Sequence, residues 1–131
     1  MAETRPQAMK PNDGCVWITG ASSGIGAALA LEMAKQGWQV AISARRQTAL
    51  DEIAQQHPHI HAFVGDVTDR AVMHNVVVAI EAELGPIALA VLNAGIYLPT
   101  ALPEFDATIF DRTFEVNLTG TINAMSPVVT L

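Results

Sequence analysis

The stretch Thr19-Gly20-Ala21-Ser22-Ser23-Gly24-Ile25-Gly26 constrains this chain more than any other, because of what stands on either side of it. Before it runs Cys15-Val16-Trp17-Ile18, an apolar run of strand length. After it, Ile25, Ala28, Leu29, Met33 and Ala34 recur at the spacing of a helix face, and Gly37 supplies a stop. A strand that turns through glycines directly into a helix opens a crossover unit, in which the next strand runs parallel to the first.

The rest of the chain repeats that alternation. Residues 40–43 read as a second strand; Leu50, Ile53 and Ala54 mark a second helix, closed by His57-Pro58. Residues 60–64 make a third strand. Asp69 is placed to cap a long third helix carrying Val72, Met73, Val76, Val77, Ile80 and Leu84. Gly85-Pro86 breaks it, and residues 87–92 form a fourth strand. From Phe105 onward Ile109, Phe110 and Phe114 predict another helix, which Pro127 should kink or end. Short connections between strands and helices imply right-handed crossovers, and the nearly unbroken apolar first and fourth strands fit burial on both faces. The predicted fold is α/β, a doubly wound parallel sheet.

Composition agrees and excludes other classes. Half of the 131 residues are apolar and 15% are charged, a globular profile. A net charge of −6, with Arg45-Arg46 the one basic cluster, argues against a nucleic-acid partner. One cysteine excludes an internal disulfide and suits a reducing compartment. No apolar run approaches the roughly 18 residues of a membrane span, so no membrane partner is expected. Residues 1–14 are polar, hold Pro6 and Pro11, and read as a flexible leader without a signal-peptide core; the expected location is the cytoplasm. Residues 15–131 form the expected domain.

A glycine turn between strand and helix lets backbone N–H groups approach a pyrophosphate, and the helix start adds positive potential. Gly20 would allow the tight turn, Gly24 a close approach and Gly26 tight packing of helix on strand, with Ser22 and Ser23 adding hydroxyl donors. The bland alternative is a strand-to-helix turn that happens to be rich in glycine. The spacing is G-x-x-x-G-x-G rather than G-x-G-x-x-G, and it also differs from the G-x-x-G-x-x-G usual in nucleotide-sugar epimerases.

The string from Thr19 to Gly26, T-G-x-x-x-G-I-G, resembles the cofactor motif of the short-chain dehydrogenase/reductase family. Three further matches follow in that family's order: Gly65-Asp66-Val67 after the third strand, Leu92-Asn93-Ala94-Gly95 after the fourth, and Glu115-Val116-Asn117 in the last helix. The resemblance implies a Rossmann-type sheet, truncated to about four strands of the family's roughly seven. It also implies a set of cofactor contacts: Gly20, Ser22, Ser23, Gly24, Ile25 and Gly26 around the phosphates, and Asp66 accepting from the adenine amino group with the Val67 backbone beside the ring. Asn93, Ala94 and Gly95 would line the adenosine ribose and brace the sheet beside the nicotinamide ribose. Asn117 would be the catalytic asparagine, distorting its helix and holding a water that relays protons to a lysine. Taken singly, Asp66 could be a turn residue, Asn93 and Gly95 loop formers, and Asn117 a solvent-facing polar residue.

The second strand ends Ser43-Ala44-Arg45-Arg46, so Ala44 occupies the place where a carboxylate would bond the ribose hydroxyls of NAD. Arg45, seconded by Arg46, favours a 2′-phosphate, and NADP(H) is expected over NAD(H). Ser23 stands where some NADP-preferring members of the family carry a further basic residue.

In the family a tyrosine acts as general acid/base, a lysine four residues later lowers its pKa, and a serine orients the substrate oxygen. Here the sole tyrosine is Tyr97, followed four residues on by Ala101, and the lysines are Lys10 and Lys35. The chain alone is therefore expected to be inactive, and the resemblance implies a longer parent acting on a ketone or secondary alcohol and forming a homo-oligomer. The apolar ending Pro127-Val128-Val129-Thr130-Leu131 and an uncovered fourth strand are read as signs of truncation. The rival reading is a non-catalytic module that binds nucleotide or a protein partner. Tyr97 either faces a substrate pocket or is an ordinary loop aromatic. His57, His59 and His61 alternate, but with no cysteine near them no metal site is expected. Cys15 reads as inert packing.

Overall fold

The computed structural model describes residues 6–130. Four parallel strands, β1 (Cys15–Thr19), β2 (Val40–Ser43), β3 (Ile60–Ala62) and β4 (Ile87–Val91), form one sheet in the order β3-β2-β1-β4. The helices between them are α1 (Gly24–Lys35), α2 (Gln47–Ala54) and α3 (Arg70–Leu84). After β4 come α4 (Ala107–Phe114), a π-helical turn (Glu115–Thr119) and α5 (Gly120–Val129). The α/β doubly wound parallel sheet expected from the alternation is the fold observed.

Every residue of β1 and β2 is buried, and their side chains alternate between two cores. Val16 and Ile18 join Val40, Ile42, Leu50 and Ile60, with Ala30 and Ala34 of α1 pressed onto them. Cys15 and Trp17 point the other way, among Met73, Val77 and Ile80 of α3 and Val116 and Ala124 beyond. A full burial of each such aliphatic or aromatic side chain contributes about 1.5–3 kcal/mol, so the two-sided sheet is the main source of stability. The indole N–H of Trp17, which would be costly to bury alone, donates to Ser43 Oγ at 2.9 Å.

β4 differs from β1. Its five residues are only half-buried, because β1 covers one edge and nothing among the described residues pairs with the other. Its apolar composition had suggested burial on both faces. β3 is shorter than the 60–64 run, yet Phe63 N donates to Ile42 O (2.8 Å) and Gly65 N to Ala44 O (3.0 Å), so extended pairing continues past its formal end.

Local chemistry sets the helix limits. Asp69 caps α3, its carboxylate accepting from Val72 N at 3.1 Å. Gly37 (φ 98°) and Gly85 (φ 86°) follow α1 and α3 in the left-handed region that ends a helix at little cost. α4 begins two residues later than Phe105 because Asp106 is its cap, accepting from Thr108 N at 2.9 Å. α5 carries Pro127 and ends two residues beyond it.

The register places the site. Thr19 pairs with Ser43, so β1 and β2 end level and the turn at Gly20 lies beside Ala44 and Arg45. Between β1 and β4 the strand order reverses. A crevice opens at the carboxyl ends of the strands, the position where open α/β sheets bind ligands.

Candidate functional site

The crevice is a cleft of about 210 Å³. Gly20, Ser22 and Ser23 form one wall, and Ser43, Ala44, Arg45 and Arg46 another. Gly65, Asp66 and Val67 close the side towards β3, while Ala94, Gly95, Ile96 and Val116 close the side towards β4 and the π turn. Residues from four separate loops, most of them marked by one family resemblance, thus meet at one place.

The turn owes its shape to two glycines. Gly20 has φ 65°, and a Cβ there would fall 2.7 Å from Ala94 Cα. Gly26 is buried beneath it: a Cβ there would fall 2.6 Å from Gly20 O and 2.7 Å from Asn93 Nδ2. Gly24 (φ 57°) has open space where a Cβ would stand. Gly24, Ile25 and Gly26 do not line the cleft themselves. Gly26 supports the turn from below, and Ile25 is 80% exposed on the first turn of α1.

Asn93 likewise acts from behind. Its Nδ2 donates to Gly20 O at 3.2 Å, tying the loop after β4 to the glycine turn, while Ala94 and Gly95 face the cleft. Thr19, only 1% exposed, makes the matching tie from β1: its Oγ1 accepts from Asn93 N (3.0 Å) and Ala94 N (3.1 Å). Thr19 belongs to the motif string, but its place there does not disclose this role. A buried hydroxyl at the end of an apolar strand was the available signal, since such a group needs partners.

Asp66 sits in an Asx turn, its Oδ1 accepting from Thr68 N (2.9 Å) and Thr68 Oγ1 (2.8 Å). Oδ2 takes no hydrogen bond among the described residues. Partial burial pushes the carboxyl pKa up, but the two Thr68 bonds and the charges of Arg45 and Arg112 outweigh it, and the net shift is downward. Asp66 is therefore a turn residue and a free anionic acceptor in the cleft wall at once.

Asn117 stands in the π turn, the helix distortion expected at that position. Its side chain clamps Ile96 from both ends: Oδ1 accepts from Ile96 N at 2.7 Å and Nδ2 donates to Ile96 O at 2.8 Å. Its backbone carbonyl accepts from Thr121 Oγ1 at 2.9 Å. Gly95 leaves room for this clamp, since a Cβ there would lie 3.3 Å from Asn117 Oδ1. Ile96 and Val116 were not singled out in the sequence, because nothing in their own type or spacing separates a cleft-lining apolar residue from a core one.

Other candidates lie elsewhere. Tyr97 is 85% exposed and outside the cleft. His61 Nε2 is 2.8 Å from Gln39 Oε1, and His57 Nδ1 accepts from His59 N at 3.0 Å. No group of three His, Cys, Asp or Glu side chains gathers among the described residues. Cys15 is buried, and desolvation raises its thiol pKa.

A parallel sheet wound on both faces, with a glycine turn at its switch point, defines a Rossmann-type α/β domain. Its residues 14–131 match the profile of the short chain dehydrogenase family, and the chain belongs to that family. It is 37% identical over 116 residues to glycine betaine reductase of Emericella nidulans, covering 86% of this chain and 9% of that protein. It is 34% identical to 2,3-dihydro-2,3-dihydroxybenzoate dehydrogenase of Bacillus subtilis, covering 86% of this chain and 44% of that enzyme. Among solved structures, actinorhodin polyketide ketoreductase with NADPH superposes with a TM-score of 0.84 at 28% identity, over 93% of this chain and 49% of that one. The chain thus spans about half the length of the Bacillus enzyme and of the ketoreductase, and far less of the fungal reductase.

Proposed function

We propose that the chain is the cofactor-binding portion of an NADP(H)-dependent oxidoreductase, which in a longer protein acts on a ketone or secondary alcohol. The observation that carries this reading is the end of β2. Ala44, Arg45 and Arg46 line the same cleft as Gly20, and among them stands no carboxylate to repel a 2′-phosphate. That the ketoreductase neighbour was solved with NADPH agrees with this choice.

The residues present fit a dinucleotide. Gly20 holds a left-handed turn that packs without a side chain on Ala94, and the space over Gly24 leaves the first N–H groups of α1 open to a pyrophosphate. Ser22 and Ser23 add hydroxyl donors there, and Ile25 follows them on the first turn of α1. Arg45 pairs the 2′-phosphate and Arg46 adds its charge. Asp66 Oδ2 would accept from the adenine amino group, and the Val67 backbone, whose N–H donates no hydrogen bond within the described residues, would stand beside the ring. Asn93 holds the turn, and Ala94 and Gly95 flank the ribose. The bound nucleotide would supply or accept the hydride.

Asn117 serves as the proton-relay residue of a complete site. The chain contains no Tyr-x-x-x-Lys pair, and without a positioned acid/base the proton transfer is slowed by about 10²–10⁴-fold. The chain alone therefore binds cofactor without turnover; a complete parent would act as a homo-oligomer in the cytoplasm. Among the described residues no helix is long and apolar enough to cross a membrane.

Calorimetric titration of the purified chain with NADPH and NADH, beside an Arg45→Ala variant, tests the reading. NADPH is expected to bind more tightly than NADH, and the variant to lose roughly ten- to a hundredfold for NADPH alone, the worth of a charge-assisted bond. Equal binding of both nucleotides, unchanged in the variant, would refute the NADP preference.

A further inference from the structure

We infer that Asn123 is a positioning residue that aims the Asp66 carboxylate at the nucleobase; the inference rests on the cofactor reading above. Asn123 lies on α5, is 2% exposed, and does not itself line the cleft. Its Nδ2 donates to Val67 O at 3.0 Å and its Oδ1 accepts from Arg70 Nε at 3.0 Å. Both ends of the amide are thus committed, which settles its orientation.

The consequence runs through one peptide plane. Val67 O and Thr68 N belong to the same planar unit. Asn123 holds the oxygen of that plane from one side, and on the other its N–H donates to Asp66 Oδ1 at 2.9 Å. The plane cannot rotate without breaking one of these bonds, so Asn123 sets where the Thr68 N–H points and hence how the carboxylate lies. Oδ1 is used in that bond and in the one from Thr68 Oγ1, which leaves Oδ2 of this cleft-lining residue as the free acceptor.

Packing reinforces the tie. Gly120, one turn before Asn123, allows α5 to reach the loop: a Cβ there would stand 2.6 Å from Val67 Cγ2. The helix that clamps Ile96 through Asn117 therefore also pins the opposite wall through Asn123. Both sides of the cleft hang on one helical element, which holds them at a fixed separation.

A structural role alone would lower stability without altering which base is preferred, so base preference is the readout. The probes are NADPH and its hypoxanthine analogue, which presents a carbonyl where adenine presents an amino group. The purified chain is expected to favour NADPH by roughly ten- to a hundredfold, the value of a hydrogen bond to a charged acceptor. In Asn123→Leu, of similar volume but without either bond, the ratio is expected to fall to about threefold or less, with NADPH carrying the loss. Should that variant fail to fold by circular dichroism, Arg70→Met removes the second bond from an exposed position and is expected to reduce the ratio by at least about threefold. An undiminished ratio in the folded variant would overturn the inference and leave the cofactor reading intact. Failure of the unaltered chain to bind either probe would overturn the cofactor reading and this inference with it. Binding of both probes equally would overturn the role of Asp66, and hence that of Asn123.

Discussion

The residues of the cleft divide into those that face it and those that hold the facing ones in place. Arg45, Asp66, Ala94 and Gly95 belong to the first group; Thr19, Asn93 and Asn117 belong to the second. Asp66 shows how one side chain does both. Its folded-state pKa is depressed, so the stability that its ionised form contributes is complete above the unfolded value of about 3.9 and is lost as pH falls through the lower folded value. The carboxyl-carbon NMR titration of Asp66 is expected to have its midpoint below about 3.9. In melts across the same range, the advantage of the chain over Asp66→Asn should be flat above that pH and be lost only as pH falls on through the lower folded value. A midpoint above the ordinary range would mean that desolvation outweighs the Thr68 bonds and the two arginines.

At the scale of elements, the glycine turn and the interrupted last helix carry the argument. Gly24 and Gly26 stand two residues apart, but the same substitution meets different obstacles. At Gly26 an alanine gains up to about 1 kcal/mol of helix propensity, yet it collides with Gly20 O and Asn93 Nδ2, and overpacking costs about 1–3 kcal/mol. At Gly24 there is free space, and the cost is the left-handed conformation, about 1–2 kcal/mol. Both variants should therefore be less stable in urea denaturation. Only Gly26→Ala is expected to loosen the tie between Asn93 and Gly20, seen as faster amide exchange in residues 93–95. The π turn has its own logic. It interrupts the regular helical ladder where Asn117 must reach Ile96, and the helix resumes at Gly120, where closeness to Val67 is needed.

At the scale of the whole molecule, the sheet is well covered on its β1 and β2 strands and open at β4. Phe110, Phe114, Leu118, Ile122 and Met125 are exposed at three- and four-residue intervals along α4, the π turn and α5. Such a stripe favours association, as does a half-buried edge strand. The sedimentation coefficient of the purified chain is expected to rise with concentration, and Leu118→Lys with Ile122→Lys should reduce that rise. A coefficient independent of concentration in the unaltered chain would show that the stripe does not drive self-association.

The sequence by itself determined the kinds of element and their order. Apolar runs, helical spacing and stop residues are local signals, and the parallel sheet follows from their alternation. The glycine turn was legible because it sits at a predictable junction, whereas Asp66, Asn93 and Asn117 were marked only by their resemblance to a family's motifs and, taken singly, read equally as turn, loop or surface residues. Boundaries were less so: the Asp106 cap displaced α4, and β4, read as buried on both faces, is only half-buried at the uncovered edge that was expected. Only the tertiary structure decided which residues hold which. Thr19 meets Asn93 across 74 positions of chain, Val67 meets Asn123 across 56, and Ile96 meets Asn117 across 21. Such bonds leave no periodic trace, because a hydrogen bond is selected by where two backbones arrive, and that is settled when the strands take the order β3-β2-β1-β4 and the helices close over both faces.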